Sequence, residues 1–292
     1  MKIFVAVDES SNAVIQEATR RPWPQGSEFE VVTMVDPYFF SHSPQALAEA
    51  KQAAANTLED LARSLVDAGW KVHSVVLLDN PRHALPRAAT TWKADLVMIG
   101  SHGVGTVKRL LLGSTEQVVL RHAECSVEIV RNRPKAIPDH QAMRVLLPTD
   151  GSDHAEAAVA AVAARPWPQG SQFKVISIPE YPVLIGEYPY YAPEQVADLV
   201  KQSQQHAERA ANRGADKLAQ AGFNPSTEVL EPRDTPAHGI LTAAEEWNPD
   251  LIVVGSHGRR GFDRLILGSV SETVAMHANC SVELVRTPIP AM

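Results

Sequence analysis

The sequence predicts an α/β protein built as two tandem, doubly wound domains, each around a five-stranded parallel sheet. Three observations predict it. Short apolar runs alternate with stretches of helical spacing, the pattern of strands covered on both faces by crossover helices. The alternation runs through twice, with matching landmarks about one domain apart. In each copy a glycine loop follows the fourth apolar run and precedes a short helix.

The elements follow in order. Lys2–Val7 and Arg144–Leu147 read as first strands, each ending near an aspartate, Asp8 or Asp150. An Ala-rich helical stretch comes next. Phe29–Val35 and Phe173–Ile178 read as second strands. Long Ala/Gln-rich helices are expected over Pro44–Ala68 and Pro193–Ala221. Third strands lie near Val72–Leu78 and Ser226–Leu230, and a helix ends at Trp92 or Trp247. Fourth strands, Asp95–Ile99 and Asp250–Val254, enter the glycine loops. After a short helix, Ser126–Arg131 and Ser281–Arg286 close each half as fifth strands.

The duplication is literal in places. Arg21-Pro-Trp-Pro-Gln-Gly-Ser27 returns unchanged at 165–171, and His122-Ala-Glu-Cys-Ser-Val-Glu returns at 277–283 with one change, Glu124 to Asn279. Domains of 1–133 and 142–292 are expected, joined by the polar, proline-bearing segment 132–141. The last strands alternate apolar residues and would leave backbone groups unpaired at a sheet edge. Pairing between them is therefore expected, inside one chain or exchanged to make a homodimer.

The glycine loops carry the chemistry. Gly100-Ser-His-Gly103 is followed nine residues later by Gly113-Ser114, and Gly255-Ser-His-Gly258 by Gly268-Ser269 at the same spacing. Glycines between a parallel strand and a helix let backbone approach an anion, and the helix start offers N–H groups and a favourable dipole. The doubled pattern points to phosphate, hence to nucleotide. The P-loop and dinucleotide fingerprints are absent, so neither of those sites is expected.

Composition excludes other classes. A net charge of −7 without a basic, aromatic-studded stripe argues against nucleic acid. No apolar run approaches a membrane span, and the first strand starts too early for a signal peptide; a cytoplasmic protein is expected. Cys125 and Cys280 lack metal-ligand spacing, so free thiols and no metal site are expected.

The spacing G-x2-G-x9-G-S, the aspartate ending strand one and the His-Ala-x-Cys before the last strand together resemble the universal stress protein family, in its ATP-binding branch. The resemblance covers almost the whole chain in two copies. One departure is Ser126 and Ser281, where the family usually has proline.

The resemblance implies an adenine nucleotide alpha hydrolase-like fold, with ATP, carrying Mg²⁺ on its phosphates, at two sites. Asp8 and Asp150, flanked by Ala6 and Pro148, would orient the ribose. Met34 and Ile178 would present backbone to the adenine edge. Ile99, Gly100, His102, Gly103 and Gly113 would wrap the phosphates, as would Val254, Gly255, His257, Gly258 and Gly268. Ser114 and Ser269, followed by Thr115 and Val270, would cap the next helix and offer a hydroxyl to phosphate. The second half follows the family pattern more closely, while the first places Glu9 beside its site.

Lys108, Arg109, Arg259, Arg260 and Arg264 either neutralise phosphate or form a solvated loop face. No general base or Walker-type lysine is evident, so a stress-regulating binder with an unnamed protein partner is expected. A nucleotide-independent interaction module and a slow ATPase remain the alternatives. The segment Pro179–Tyr191 reads as a proline-braced loop packing on the long helix, or as a lid or partner surface.

Overall fold

A computed structural model describes residues 1–8, 11–101, 112–131, 142–180, 193–232, 234–258 and 267–287. The linker 132–141, loop residues 102–111 and 259–266, Glu9 and the segment 181–192 lie outside the described residues.

The first half contains β1 (Lys2–Ala6), α1 (Asn12–Arg20), β2 (Glu28–Val35), a short 3-10 turn at Pro37–Phe40 and α2 (Pro44–Asp67). It continues with β3 (Lys71–Leu78), α3 (Pro81–Trp92), β4 (Leu96–Gly100), α4 (Ser114–His122) and β5 (Ser126–Val130). The second repeats the plan as β6 (Arg144–Pro148), α5 (Asp153–Ala163), β7 (Gln172–Ser177), α6 (Pro193–Gln220), β8 (Ser226–Val229), α7 (Pro236–Trp247), β9 (Leu251–Gly255), α8 (Ser269–His277) and β10 (Ser281–Val285).

Strand order is β3-β2-β1-β4-β5-β10-β9-β6-β7-β8 in one sheet. Each half is parallel, and the order reverses between β1 and β4, or β6 and β9. The β5–β10 pair alone is antiparallel, with Glu283 opposite Glu128 and Leu284 opposite Val127. The pairing expected of the last strands is therefore made within the chain. It also points the carboxyl ends of the two parallel halves in opposite directions.

Strand side chains alternate between two covered faces, which is why the strands read as nearly continuous apolar runs. On one face a single apolar cluster crosses the seam, from Leu85 of α3 and Leu120 of α4 to Val274 of α8 and Ile240 of α7. On the other face each half keeps a separate core. Ile15, Leu58 and Leu65 pack over β1 in the first, and Val159, Ala211 and Leu218 over β6 in the second.

A charged cluster divides those two cores. Glu128 and Glu283 are fully buried, and each grips an arginine of the repeated heptapeptide. Arg165 donates to both oxygens of Glu283 at 2.6 and 2.7 Å. Arg21 does the same for Glu128 and also holds Glu17, which pairs with Arg20. Burial pushes the Glu128 carboxyl up to about 7 against the pull of Arg21, with Glu17 and Glu283 adding to the rise.

The rest of the heptapeptide shapes its turn identically twice. Trp23 and Trp167 donate their indole N–H to Ala18 and Val162 near the ends of α1 and α5, and Gly26 and Gly170 take φ of 77° and 83°.

Two further arginines tie the halves together. Arg131 donates to the carbonyls of Ala275 and Met276 at the end of α8, and Arg286 to those of Leu120 and Arg121 at the end of α4. A cation at a helix C-terminus meets both unpaired carbonyls and the dipole. The backbone N–H of Arg131 donates to Ser281 Oγ and that of Arg286 to Ser126 Oγ, both at 3.2 Å. Serine in place of the family's proline thus adds a hydroxyl acceptor across the seam.

Candidate functional site

In each half the first and fourth strands lie side by side at the point where strand order reverses, and ligands of such sheets bind beyond these carboxyl ends. The geometry there gathers Asp8 with Gly100, and Asp150 with Gly255.

The second half is tightly built. A Cβ on Gly255 would stand 2.5 Å from the backbone carbon and oxygen of His154 at the start of α5. A Cβ on Gly268 would press on His257 Cα and the Ser256 carbonyl, both at 3.2 Å. The Gly268 N–H donates to that carbonyl at 2.9 Å, so the two ends of the glycine loop are tied together. Gly258 faces Asp150, whose Oδ2 lies 2.9 Å from where a Cβ would sit. Asp150 Oδ1 accepts from the Ser152 N–H and hydroxyl, and the Asp150 carbonyl meets His206 Nε2 at 3.0 Å.

His257, one of the expected phosphate residues, is buried. It is 93 % buried in a position read as loop, with Nδ1 3.1 Å from Ser256 Oγ and its ring 5.0 Å from that of His154. Its Nε2 has no hydrogen-bond partner among the described residues. A buried ring nitrogen without a partner costs free energy, so this atom fits beside a hydrogen-bonding ligand.

The first half differs. Among the described residues, a Cβ on Gly100 would meet a Val14 methyl at 3.3 Å. A Cβ on Gly113 would collide with the Glu116 carboxylate, a buried group in the first turn of α4. Asp8 is exposed and accepts from the Ser11 hydroxyl at 2.7 Å. His102, Gly103, Lys108, Arg109, Arg259, Arg260 and Arg264 lie outside the described residues.

One expectation is corrected. Ser114 and Ser269 do not cap the helices; Gly113 and Gly268 hold the N-cap positions, and the serines are the first helical residues. Ser114 Oγ instead accepts from Arg82 at 2.6 Å. Thr115 and Val270 follow within the first turn, half-buried.

The remaining positions sit at strand ends. Ala6, Ile99 and Val254 are buried, and Pro148 closes β6. Met34 lies in β2, and Ile178 lies one residue past β7 with its side chain against α7 near Gly239.

Spacing alone missed Glu116, Arg82 and the arginine–glutamate pairs. The recurrence of Arg-Pro-Trp and Ser-Val-Glu in both halves was the available signal for the last. Burial raises the Cys125 thiol to about 11, and no cluster of three metal-ligating side chains occurs among the described residues. No helix among the described residues is long and apolar enough to cross a membrane.

A cleft of about 470 Å³ lies between β3 and α3, lined by Glu30, Val75, Leu77, Ala88 and Trp92. In the second half Lys174 pairs with Glu228 and lies over Trp247 in the corresponding place.

Fold and loops together define a tandem doubly wound protein with a glycine-loop site in each half. The universal stress protein family model matches residues 1–131 and 142–286, and the chain belongs to that family. A universal stress protein of Mycolicibacterium smegmatis is 28 % identical over 97 % of this chain and 96 % of its own length. One from Mycobacterium tuberculosis is 30 % identical over 82 % of this chain and 77 % of its own. Among solved structures, a universal stress protein from Archaeoglobus fulgidus superposes with a TM-score of 0.68 over 98 % of both chains at 21 % identity, a likeness of fold.

Proposed function

We propose that this protein binds ATP at its glycine loops, more tightly in the second half, and works as a nucleotide-responsive stress regulator without fast catalysis. The single observation carrying the reading is the second loop. There Gly255, Gly258 and Gly268 are each packed where a Cβ would strike backbone or Asp150, and His257, against Gly268, has no hydrogen-bond partner for Nε2 among the described residues.

Such a cradle brings backbone N–H groups to phosphate, and the start of α8 adds its dipole. Asp150, held by Ser152 and close to Gly258, is placed for the ribose hydroxyls. Bound ATP supplies a triphosphate charge with Mg²⁺ riding on it, as this ion commonly does. The chain's own contribution is to bind and orient. Neither loop carries the Walker-type lysine of the P-loop pattern, which favours a binder over an ATPase.

Calorimetric titration with ATP tests the reading. The parent should bind, and Gly268→Val should lose the tighter step, because the branched side chain meets Ser256 and His257 backbone. A parent that neither binds added ATP nor releases nucleotide on denaturation would leave the interaction-module reading instead.

A further inference from the structure

We propose that residue 116, with its counterpart 271, decides which half accepts phosphate: Glu116 is a built-in anion that holds the phosphate end of the first site, and Ser271 leaves the second open. The inference rests on the reading of the glycine loops as nucleotide sites and explains why the two differ.

The two positions are equivalent. Each is the third residue of the helix that follows the loop, α4 after Gly113 and α8 after Gly268. At this position a glutamate reaches back toward the N-cap residue, as in a capping box. Glu116 does so: it is 92 % buried, and its carboxylate lies against Gly113 where even a Cβ would collide with it. A carboxylate there takes the favourable end of the dipole and stands where a phosphate oxygen would approach.

Ser271 is short and turned away. Its hydroxyl donates to the Gly255 carbonyl at 2.6 Å, which fastens α8 to the end of β9. The acid in the first turn of α8, Glu272, is engaged by Arg121 of the other half at 2.8 Å. The start of α8 therefore carries no counterpart to the Glu116 carboxylate at the N-cap. His257, whose Cα lies 3.2 Å from where a Cβ on Gly268 would sit, is buried with no hydrogen-bond partner for Nε2 among the described residues, and this independently marks the second loop as the one built for a ligand.

A neighbouring contact differs too: Arg82, at the start of α3, donates to Ser114 Oγ, and its counterpart in the second half is Ala237.

ATP titrations of the parent, Glu116→Ser and Ser271→Glu, with thermal unfolding as a control, test the proposal. The parent should show a tight and a weak step. Glu116→Ser should tighten the weak step by about ten-fold or more, and Ser271→Glu should weaken the tight step by a similar factor, since a like charge meets the phosphate in a poorly solvated site. Glu116→Gln keeps the length and removes the charge, and decides the matter if the serine variant folds poorly; it should also tighten the weak step. Unchanged binding in the Glu116 variants of a parent that binds ATP overturns the proposal while sparing the nucleotide reading. A parent with two equally tight steps also overturns it. A parent with no ATP binding removes the nucleotide reading, and the proposal with it.

Discussion

Arg131 and Arg286 do the same work on opposite sides of the seam, whereas Glu116 and Ser271 do opposite work at the two glycine loops. At the seam, each half supplies an arginine to the other's helix end, a serine hydroxyl to the other's backbone and a glutamate to the central pair. The equivalence follows from geometry. An antiparallel strand pair relates the halves by an approximate two-fold, so a group useful on one side is useful on the other. The carboxyl edges face opposite directions and never meet, so nothing in the fold forces them to match. One has become a close-packed cradle, and the other carries its own anion.

The largest expected effect breaks the seam. Arg165→Ala leaves Glu283 buried opposite Glu128 without its cation. Breaking a buried ion pair on one side costs about 3–5 kcal/mol, and urea denaturation should register it. Arg21 sits in a richer cluster, yet its loss strands Glu128 in the same way.

The next effect separates the two edges. Gly255→Ala forces a methyl against the His154 backbone, which cannot swing aside as a side chain would. Overpacking of this kind costs about 1–3 kcal/mol, whereas Gly100→Ala meets, among the described residues, a Val14 methyl and should cost under about 1 kcal/mol. Equal costs in denaturant unfolding would mean the second loop is no more tightly built than the first.

The smallest effect lies again at the seam. Ser281→Ala removes the acceptor of the buried Arg131 N–H and Ser126→Ala that of the half-buried Arg286 N–H, each worth about 0.5–1.5 kcal/mol. Both losses should fall within that range in thermal or urea unfolding, because the bonds they remove are the same length. Unequal losses would break the equivalence of the two sides.

Much of this was legible in the sequence. The strands fell where apolar runs placed them, to within a residue or two at each end. A strand buried on both faces cannot hide a polar run, and the glycine loops announced the reversal of strand order. The long helices began at Pro44 and Pro193 as expected, since proline suits a first helical turn. What stayed hidden depended on contact rather than pattern. Arg21 meets Glu128 from 107 residues away, and no spacing rule connects them. Glu116 read as an ordinary acid in a helical stretch, because its burial follows from how α4 docks under the loop. The serines after Gly113 and Gly268 looked like caps, and the choice of glycine as N-cap depends on where the helix starts in space. The burial of His257, a residue expected at the phosphates, was hidden for the same reason.

The central claim is that the loop of the second half is the better phosphate cradle. Amide hydrogen exchange with and without saturating ATP tests it most directly, because it reads each helix start separately in the intact chain. The account predicts marked slowing across residues 255–257 and 268–272, and weaker slowing across 113–117. No change at 268–272, or protection confined to 113–117, would contradict it.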